Sequence, residues 1–288
     1  MRYHTPTSFA DASAIAAAAP GTLRFLAGGT DVLVQMRAGM VQPDDLIDLK
    51  HIPGVDQITR TPEGGWRIGI AVPGIVLGAH AALVKDWPGV VEGMNLVGST
   101  QVQGRATLAG NLCNGSPAAD SVPGLIAAGA VVTVTGPKGS RDLPVEQVPA
   151  GPGKTTLAKG EVISAITLPP RGKNGGDAYL RFIPRTEMDI AVVGCAVNLR
   201  LDGDRIVEAR VALGAVAPTV ILSEACAKTI IGTTLGDAAL NALAKVAEGE
   251  AKPISDKRGT KEFRIEVAGV LARRAAQIAY DRAKGAKK

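Results

Sequence analysis

The sequence predicts a mixed α+β chain, with α/β units on its N-terminal side and an antiparallel sheet with helices at its C-terminal end. Three observations carry this. A strand–loop–helix–strand succession fills residues 23–49, which is an α/β opening. Residues 171–177, Arg-Gly-Lys-Asn-Gly-Gly-Asp, read as a linker. Beyond it the character changes: strand-like runs at 190–200 and 206–216 are joined by the turn Asp202-Gly203-Asp204, and helical stretches follow. A length of 288 residues allows two or three compact domains, since single cores seldom grow past about 250 residues. The expected division is 1–54, 55–174 and 175–288.

Each element has a local reason. Thr7 or Ser8 can cap an Ala-rich helix that Pro20-Gly21 stops. Residues 23–27 form a short apolar strand, Gly28-Gly29-Thr30 breaks it, 31–38 have helical composition, and 46–49 read as the next strand. A second region begins near Val55. Its strand at 66–70 follows the Gly64-Gly65 turn, and helices are expected at 74–85 and 88–97. A loop of small and polar residues spans 106–120, with helix at 125–128 and strand at 130–135 beyond it. The C-terminal helices are expected at 223–230, 236–248 and 260–284; in the last, Phe263, Val267, Val270, Leu271 and Ile278 mark one apolar face.

Composition narrows the function. Hydrophobic residues make up 46% of the chain and aromatics 3%, so a core can be buried while stacking platforms for single-stranded nucleic acid are excluded. The net charge of +5 is dispersed, apart from the basic tail 284–288, and forms no nucleic-acid stripe. The Ala-rich run at 14–19 is too short and too weakly apolar for a membrane span, and no signal peptide is read. Cys113, Cys195 and Cys226 lie too far apart for a zinc or iron–sulfur spacing. Their number and spacing suit a reducing cytoplasm. His4, His51 and His80 have no metal-ligand spacing and read as surface or partly buried residues; no metal site is expected.

Two glycine loops carry the chemistry. In Ala27-Gly28-Gly29-Thr30-Asp31 the absent side chains let backbone N–H groups approach a phosphate, and a helix start follows. Thr30 adds a hydroxyl. Asp31, repelled by phosphate, would cap the helix or accept from a backbone amide or a sugar hydroxyl. Alone, this is an ordinary strand-to-helix turn. Gly110-Asn111 and Gly115-Ser116-Pro117 offer a second set of amides, with Ser116 as a helix cap, Pro117 at the first helical position, and Asp120 placed for a sugar hydroxyl. Together the loops suit a pyrophosphate held from two sides, without a GxGxxG fingerprint. Gly151-Pro152-Gly153-Lys154-Thr155-Thr156 only imitates a phosphate loop, because Val148 stands where that motif needs glycine. Ser116 is in no GxSxG elbow, and Cys113 reads as a small loop residue. No side chain is singled out as catalytic.

The run Gln101-Val102-Gln103-Gly104-Arg105-Ala106-Thr107-Leu108-Ala109-Gly110-Asn111, continuing through Ser116-Pro117-Ala118-Ala119-Asp120, resembles the FAD-binding medium subunit of the molybdenum hydroxylases. The first loop, Thr156-Leu157 with Gly160 to Ile163, and Arg185 with Asp189-Ile190-Ala191 extend the likeness over nearly the whole chain. The resemblance implies two α/β FAD-binding subdomains (PCMH or vanillyl-alcohol-oxidase-like) before the C-terminal α+β domain. It implies that Leu26, Ala27, Gly28, Gly29, Thr30, Asp31 and Val32, with Thr107, Leu108, Ala109, Gly110 and Asn111, enclose the pyrophosphate. It places Ser116 and Asp120 on the sugar or ribityl chain, Leu157 and Ile163 on adenine or the ring system, and Arg181 near the isoalloxazine. Ile190 stands where some members have an aromatic, and Gln103-Gly104 where the family has Arg-Asn. Relatives with an inserted [4Fe–4S] cluster need four cysteines, and this chain has three.

The resemblance implies an electron relay. A molybdopterin large subunit oxidises the substrate, an iron–sulfur small subunit with two [2Fe–2S] clusters carries the electrons, and FAD here passes them to NAD, oxygen or another acceptor. The assembly is expected as a dimer of heterotrimers. Two other readings stand beside it: a self-contained flavin oxidoreductase, which needs a base in a polar pocket, and a non-enzymatic module whose glycine loops are turns.

Overall fold

In the computed structural model, which describes residues 1–285, the Ser8 hydroxyl accepts from the Asp11 N–H and starts the helix Phe9–Ala18. Strand Leu23–Leu26, helix Val32–Arg37 and strand Asp45–Asp48 follow. Asp45–Asp48 is the centre of a parallel sheet, between Leu23–Leu26 and a strand Arg2–His4 that the sequence pattern did not reveal. Arg2 holds that strand through a bidentate pair with Asp45, whose Oδ1 also lies 2.8 Å from His4 Nε2.

These hydrogen bonds keep the Asp45 carboxyl at about 2, and Arg185 does the same for Asp189. Both folded values lie below the unfolded value of about 3.9. Their contribution is therefore complete above about pH 4 and is lost as pH falls toward 2. Asp177, raised to about 6 by burial, works in the opposite sense between those two values. Thermal unfolding followed from pH 5 to pH 2 is expected to show a falling midpoint below about pH 4, and Asp45→Asn should flatten the fall.

The second sheet is antiparallel, in the order Ile58–Arg60, Trp66–Gly69, Val162–Leu168, Val131–Gly136, Gly139–Pro144. Its central strand is almost wholly buried, as its continuous apolar run requires. The edge strand Gly139–Pro144 carries Arg141 and Asp142 toward solvent, which discourages further pairing. The single helix expected at 74–85 is split into Gly74–Ala79 and Ala81–Asp86. His80 divides them: its Nδ1 accepts from the Leu83 N–H and starts the second piece. Helix Pro88–Asn95 packs against Ser121–Ala127 at glycines. A Cβ on Gly93 would stand 2.6 Å from the Asp120 carbonyl oxygen, and one on Gly124 2.9 Å from that of Gly89.

Strands Gly175–Phe182, Val193–Asp202, Arg205–Gly214 and Ile221–Leu222 form an antiparallel sheet. Gly203 turns the long pair at φ 56°. The stretch expected as a linker is ordered: Asp177 is buried, accepting from the Gly89 N–H at 2.9 Å and from Arg171 at 3.1 Å. Gly172, Lys173 and Asn174 are exposed, so its polar composition reflects exposure there and internal hydrogen bonds at Arg171 and Asp177. Helices Glu224–Ile230, Asp237–Glu250 and Lys261–Ala283 cover the sheet.

The last helix corrects the expected apolar face. Phe263 and Val270 are exposed, Val267 and Ile278 half-buried, and only Leu271 of the five is buried. The buried stripe is Ala268, Ala272, Ala275, Ala276, Ala279 and Ala283. Small side chains let the helix backbone approach the sheet, so that a Cβ on Gly176 would stand 1.9 Å from the Ala279 carbonyl oxygen. One apolar core runs through the first two sheets and their helices; a second lies between the four-stranded sheet and the C-terminal helices. Positions 286–288 of the basic tail lie outside the described residues. Among those residues no helix is long and apolar enough to cross a membrane.

Candidate functional site

The first glycine loop turns where Gly29 adopts φ 83°, a region closed to most side chains. The Leu33 N–H bonds back to the Gly29 carbonyl at 3.1 Å. Among the described residues, the N–H groups of Gly28, Gly29, Thr30, Asp31 and Val32 have no hydrogen-bond partner. Such a run of amides is a nest for an anion. Asp31 precedes the helix but does not cap it. Its backbone is already helical, at φ −98° and ψ −55°, and its Oδ1 accepts from Asn114 Nδ2 at 3.2 Å. A capping side chain reaches back from an extended backbone, which Asp31 lacks.

The second loop contains a helix. Thr107 caps Leu108–Cys113, its Oγ1 accepting from the Gly110 N–H at 3.0 Å. The open amides are therefore those of Leu108 and Ala109, while Gly110 is satisfied within the chain. Ser116 is not a helix cap, contrary to expectation. Its Oγ accepts from the Ala118 N–H at 3.2 Å in a tight turn, and the next helix starts only at Ser121. The loops touch: Gln35 Nε2 donates to Asn114 Oδ1 at 3.2 Å, and an added Cβ on Gly28 would stand 2.0 Å from the Arg105 carbonyl oxygen.

Between them opens a cleft of about 670 Å³, well inside the usual range of ligand sites, roughly 300–1,000 Å³. Of the expected residues, Ala27 to Val32, Thr107, Ala109, Gly110, Asn111, Leu157 and Ile163 line it. Leu26 and Leu108 are buried behind its walls. Ser116, Asp120 and Arg181 are not on the lining. Asp120 and Arg181 are instead paired, 2.6 Å apart, and Tyr179 Oη donates to the other Asp120 oxygen at 2.8 Å. Burial pushes the Asp120 carboxyl up to about 6, only partly offset by the Arg181 charge and the Tyr179 hydrogen bond. A carboxylate has about four acceptor sites, so a sugar hydroxyl would have to share Asp120 with these partners.

Sequence reasoning missed part of the wall. Leu23, Phe25, Leu49 and Ile70 supply apolar surface, and Gly153 and Thr155 come from the segment dismissed as an imitation phosphate loop. That segment is a hairpin, Pro149–Gly151 with Lys154–Thr155, and its Gly153 N–H bonds to the Gly115 carbonyl at 3.0 Å. Its paired glycines were the available signal. Cys113 opens toward the cleft, yet the enclosing protein pushes its thiol up to about 12, so it is no thiolate nucleophile.

Residues 1–171 match the family described as the FAD binding domain in molybdopterin dehydrogenase, and residues 178–279 the CO dehydrogenase flavoprotein C-terminal domain. The chain belongs to the FAD-binding medium subunits of the molybdenum hydroxylases. This medium subunit is 33% identical to the carbon monoxide dehydrogenase medium chain of Afipia carboxidovorans, over 98% of this chain and 97% of that one. It is 30% identical to the xanthine dehydrogenase FAD-binding subunit of Escherichia coli O157:H7, over 94% and 93% of the two chains. In solved structures, it matches a chain of the cyanide-inactivated Cu,Mo-CO dehydrogenase with a TM-score of 0.93, at 32% identity and 98% coverage of both chains. The relatives are oxidoreductase subunits, and the medium subunit carries their FAD-binding domain. The cleft fits that cofactor: its unpartnered amides would suit an anionic diphosphate, and its apolar walls flat ring systems.

Proposed function

We propose that this medium subunit relays electrons through FAD, from the [2Fe–2S] clusters of a small subunit to NAD, oxygen or another acceptor. A molybdopterin large subunit oxidises the substrate, and the assembly is a cytoplasmic dimer of heterotrimers. The observation that carries the reading is the run of unpartnered amides from Gly28 to Val32 at the cleft. These amides and those of Leu108 and Ala109 would bind the pyrophosphate, and Leu157 and Ile163 would pack on a ring. When bound, FAD supplies the redox chemistry, and the chain supplies binding, orientation and electrostatics.

The carboxylates on the cleft wall support a relay over a self-contained oxidoreductase. Asp31 is engaged by Asn114, and Glu161 by Arg141 and the Ala158 N–H, which hold its pKa below the usual range. Burial raises the Asp31 carboxyl above its ordinary range, but it is already bonded to Asn114, and Glu161 is held down, so neither is an unengaged base of the kind that proton abstraction from an organic substrate would need. Helix Val32–Arg37 beside the cleft buries none of its residues and leaves Leu33 and Val34 exposed, a surface suited to a partner subunit.

The purified chain is expected to be yellow, with one FAD that acid or heat releases into solution. Absorbance of the precipitate and supernatant checks this. Colour retained by the denatured protein would contradict non-covalent binding, and a chain that takes up no FAD when supplied with it would overturn the reading.

A further inference from the structure

We propose that the buried Asp120–Arg181 pair, backed by Tyr179, is a positioning device that locks the second FAD loop to the C-terminal sheet and so sets how tightly FAD is held. The inference rests on the FAD reading and adds to it a coupling between two parts of the chain. Asp120 stands just before helix Ser121–Ala127 without capping it. Its carboxylate turns across to strand Gly175–Phe182, where Tyr179 and Arg181 occupy the same face, two residues apart. The paired side chains are 8% and 4% exposed.

The pair connects to the cleft through the next residue. Ser121 donates to Asn111 Oδ1 from its N–H at 3.3 Å and from its hydroxyl at 2.7 Å, and Asn111 lines the cleft. A second tie runs in parallel: the Ala215 N–H donates to the Pro117 carbonyl at 2.8 Å. Ala215 holds a left-handed φ of 61°, a conformation that persists only where its surroundings impose it. Both ties join the loop Cys113–Asp120 to the C-terminal sheet.

A buried ion pair is by itself poor evidence of added stability, because apolar replacements often serve as well. What it adds is a fixed geometry, since Arg181 and Tyr179 accept only one placement of the Asp120 carboxylate. The other charged or titratable groups around it do not compensate. Glu92, from helix Pro88–Asn95, is bonded to the Tyr179 N–H and to Arg282, and Cys195 on the neighbouring strand pairs with Leu180, on the opposite face of the sheet from Tyr179. Asp189 presents only its carbonyl to Arg181, at 3.5 Å. Protonation of Asp120 therefore breaks the charge pairing and leaves Arg181 without a counter-charge at the loop.

The test measures FAD dissociation by flavin fluorescence on the full chain, alongside thermal unfolding without FAD. Arg181→Met should raise the dissociation constant roughly tenfold, within the usual range for coupled sites. Asp120→Asn with Arg181→Met removes the stranded buried charge, so unfolding should recover toward wild type while FAD binding stays weak. The wild-type dissociation constant should rise as pH falls below about 6, and Asp120→Asn should abolish that inflection. Wild-type affinity in Arg181→Met would overturn the proposal, as would recovery of FAD affinity together with stability in the double variant. Should Arg181→Met not fold, the double variant and the pH profile decide. A wild-type chain that binds no FAD would instead defeat the reading beneath it.

Discussion

Gly28→Val is expected to strip the chain of FAD and to lower its thermal stability. A Cβ at this position would lie 2.0 Å from the Arg105 carbonyl oxygen, 2.8 Å from its carbon and 3.2 Å from the Ala106 Cα. All three are backbone atoms at the start of the second loop, so no rotamer change relieves the clash. The two loops must separate, and the amides on either side of the cleft then no longer face one anion. Overpacking of this kind typically costs about 1–3 kcal/mol, and loss of the binding geometry adds to it. Gly110→Val should be milder toward its surroundings, because its Cβ would meet only Thr107 Oγ1, at 3.0 Å. Gly249→Ala is the control: nothing lies within 4 Å of its added Cβ, inside helix Asp237–Glu250. It should bind FAD as wild type and gain up to about 1 kcal/mol of stability. Flavin absorbance per chain and the unfolding midpoint check all three variants. Full flavin content in Gly28→Val would show that the cofactor does not depend on the apposition of these loops.

What the sequence made legible follows from range. Gly28-Gly29 after an apolar strand is a local signal, and the turn at Gly29 obeys it. Thr107 three residues before Gly110 is likewise a local capping pattern, though the open composition of 106–120 concealed the helix it starts. Ser116-Pro117 carries the same kind of signal, but the chain there serves a turn bonded to Ala118 and a contact between Pro117 and Ala215. Tertiary contacts override propensity at that point. The partners of Asp120 lie 59 and 61 residues away, beyond any periodicity. The order of the second sheet is hidden for the same reason, since Val162–Leu168 enters between strands formed much earlier in the chain. The alanine face of the last helix was missed because hydropathy ranks Phe263 and Val270 above alanine, whereas close packing on the sheet selects size.

The isolated chain is expected not to oxidise the organic or inorganic substrate of its complex, and to act at most as a weak oxidase or NADH-dye reductase. The Asp31 and Glu161 carboxylates on its cleft wall are already bonded within the chain, and burial pushes the Cys113 thiol up to about 12, so none of the three is an unengaged base or nucleophile. Among the described residues no three potential metal ligands converge, and on the relay reading the electrons arrive from a partner's centre. Electron transfer fades steeply with distance, which requires that partner to dock beside the cleft, where Leu33, Val34 and Met40 are 46%, 63% and 74% exposed. Co-purification should therefore bring an iron–sulfur subunit and a molybdenum subunit with the chain. Assayed side by side, the assembled complex should exceed the single chain in substrate turnover by more than roughly a thousandfold, since the chain alone lacks the oxidising centre. Charged replacements at Leu33 and Val34 should weaken co-purification while flavin content stays unchanged, because neither side chain lies on the lining of the cleft. If the single chain matched the assembly in turnover, the relay would be wrong and the cleft would have to be the substrate site of a self-contained flavoenzyme.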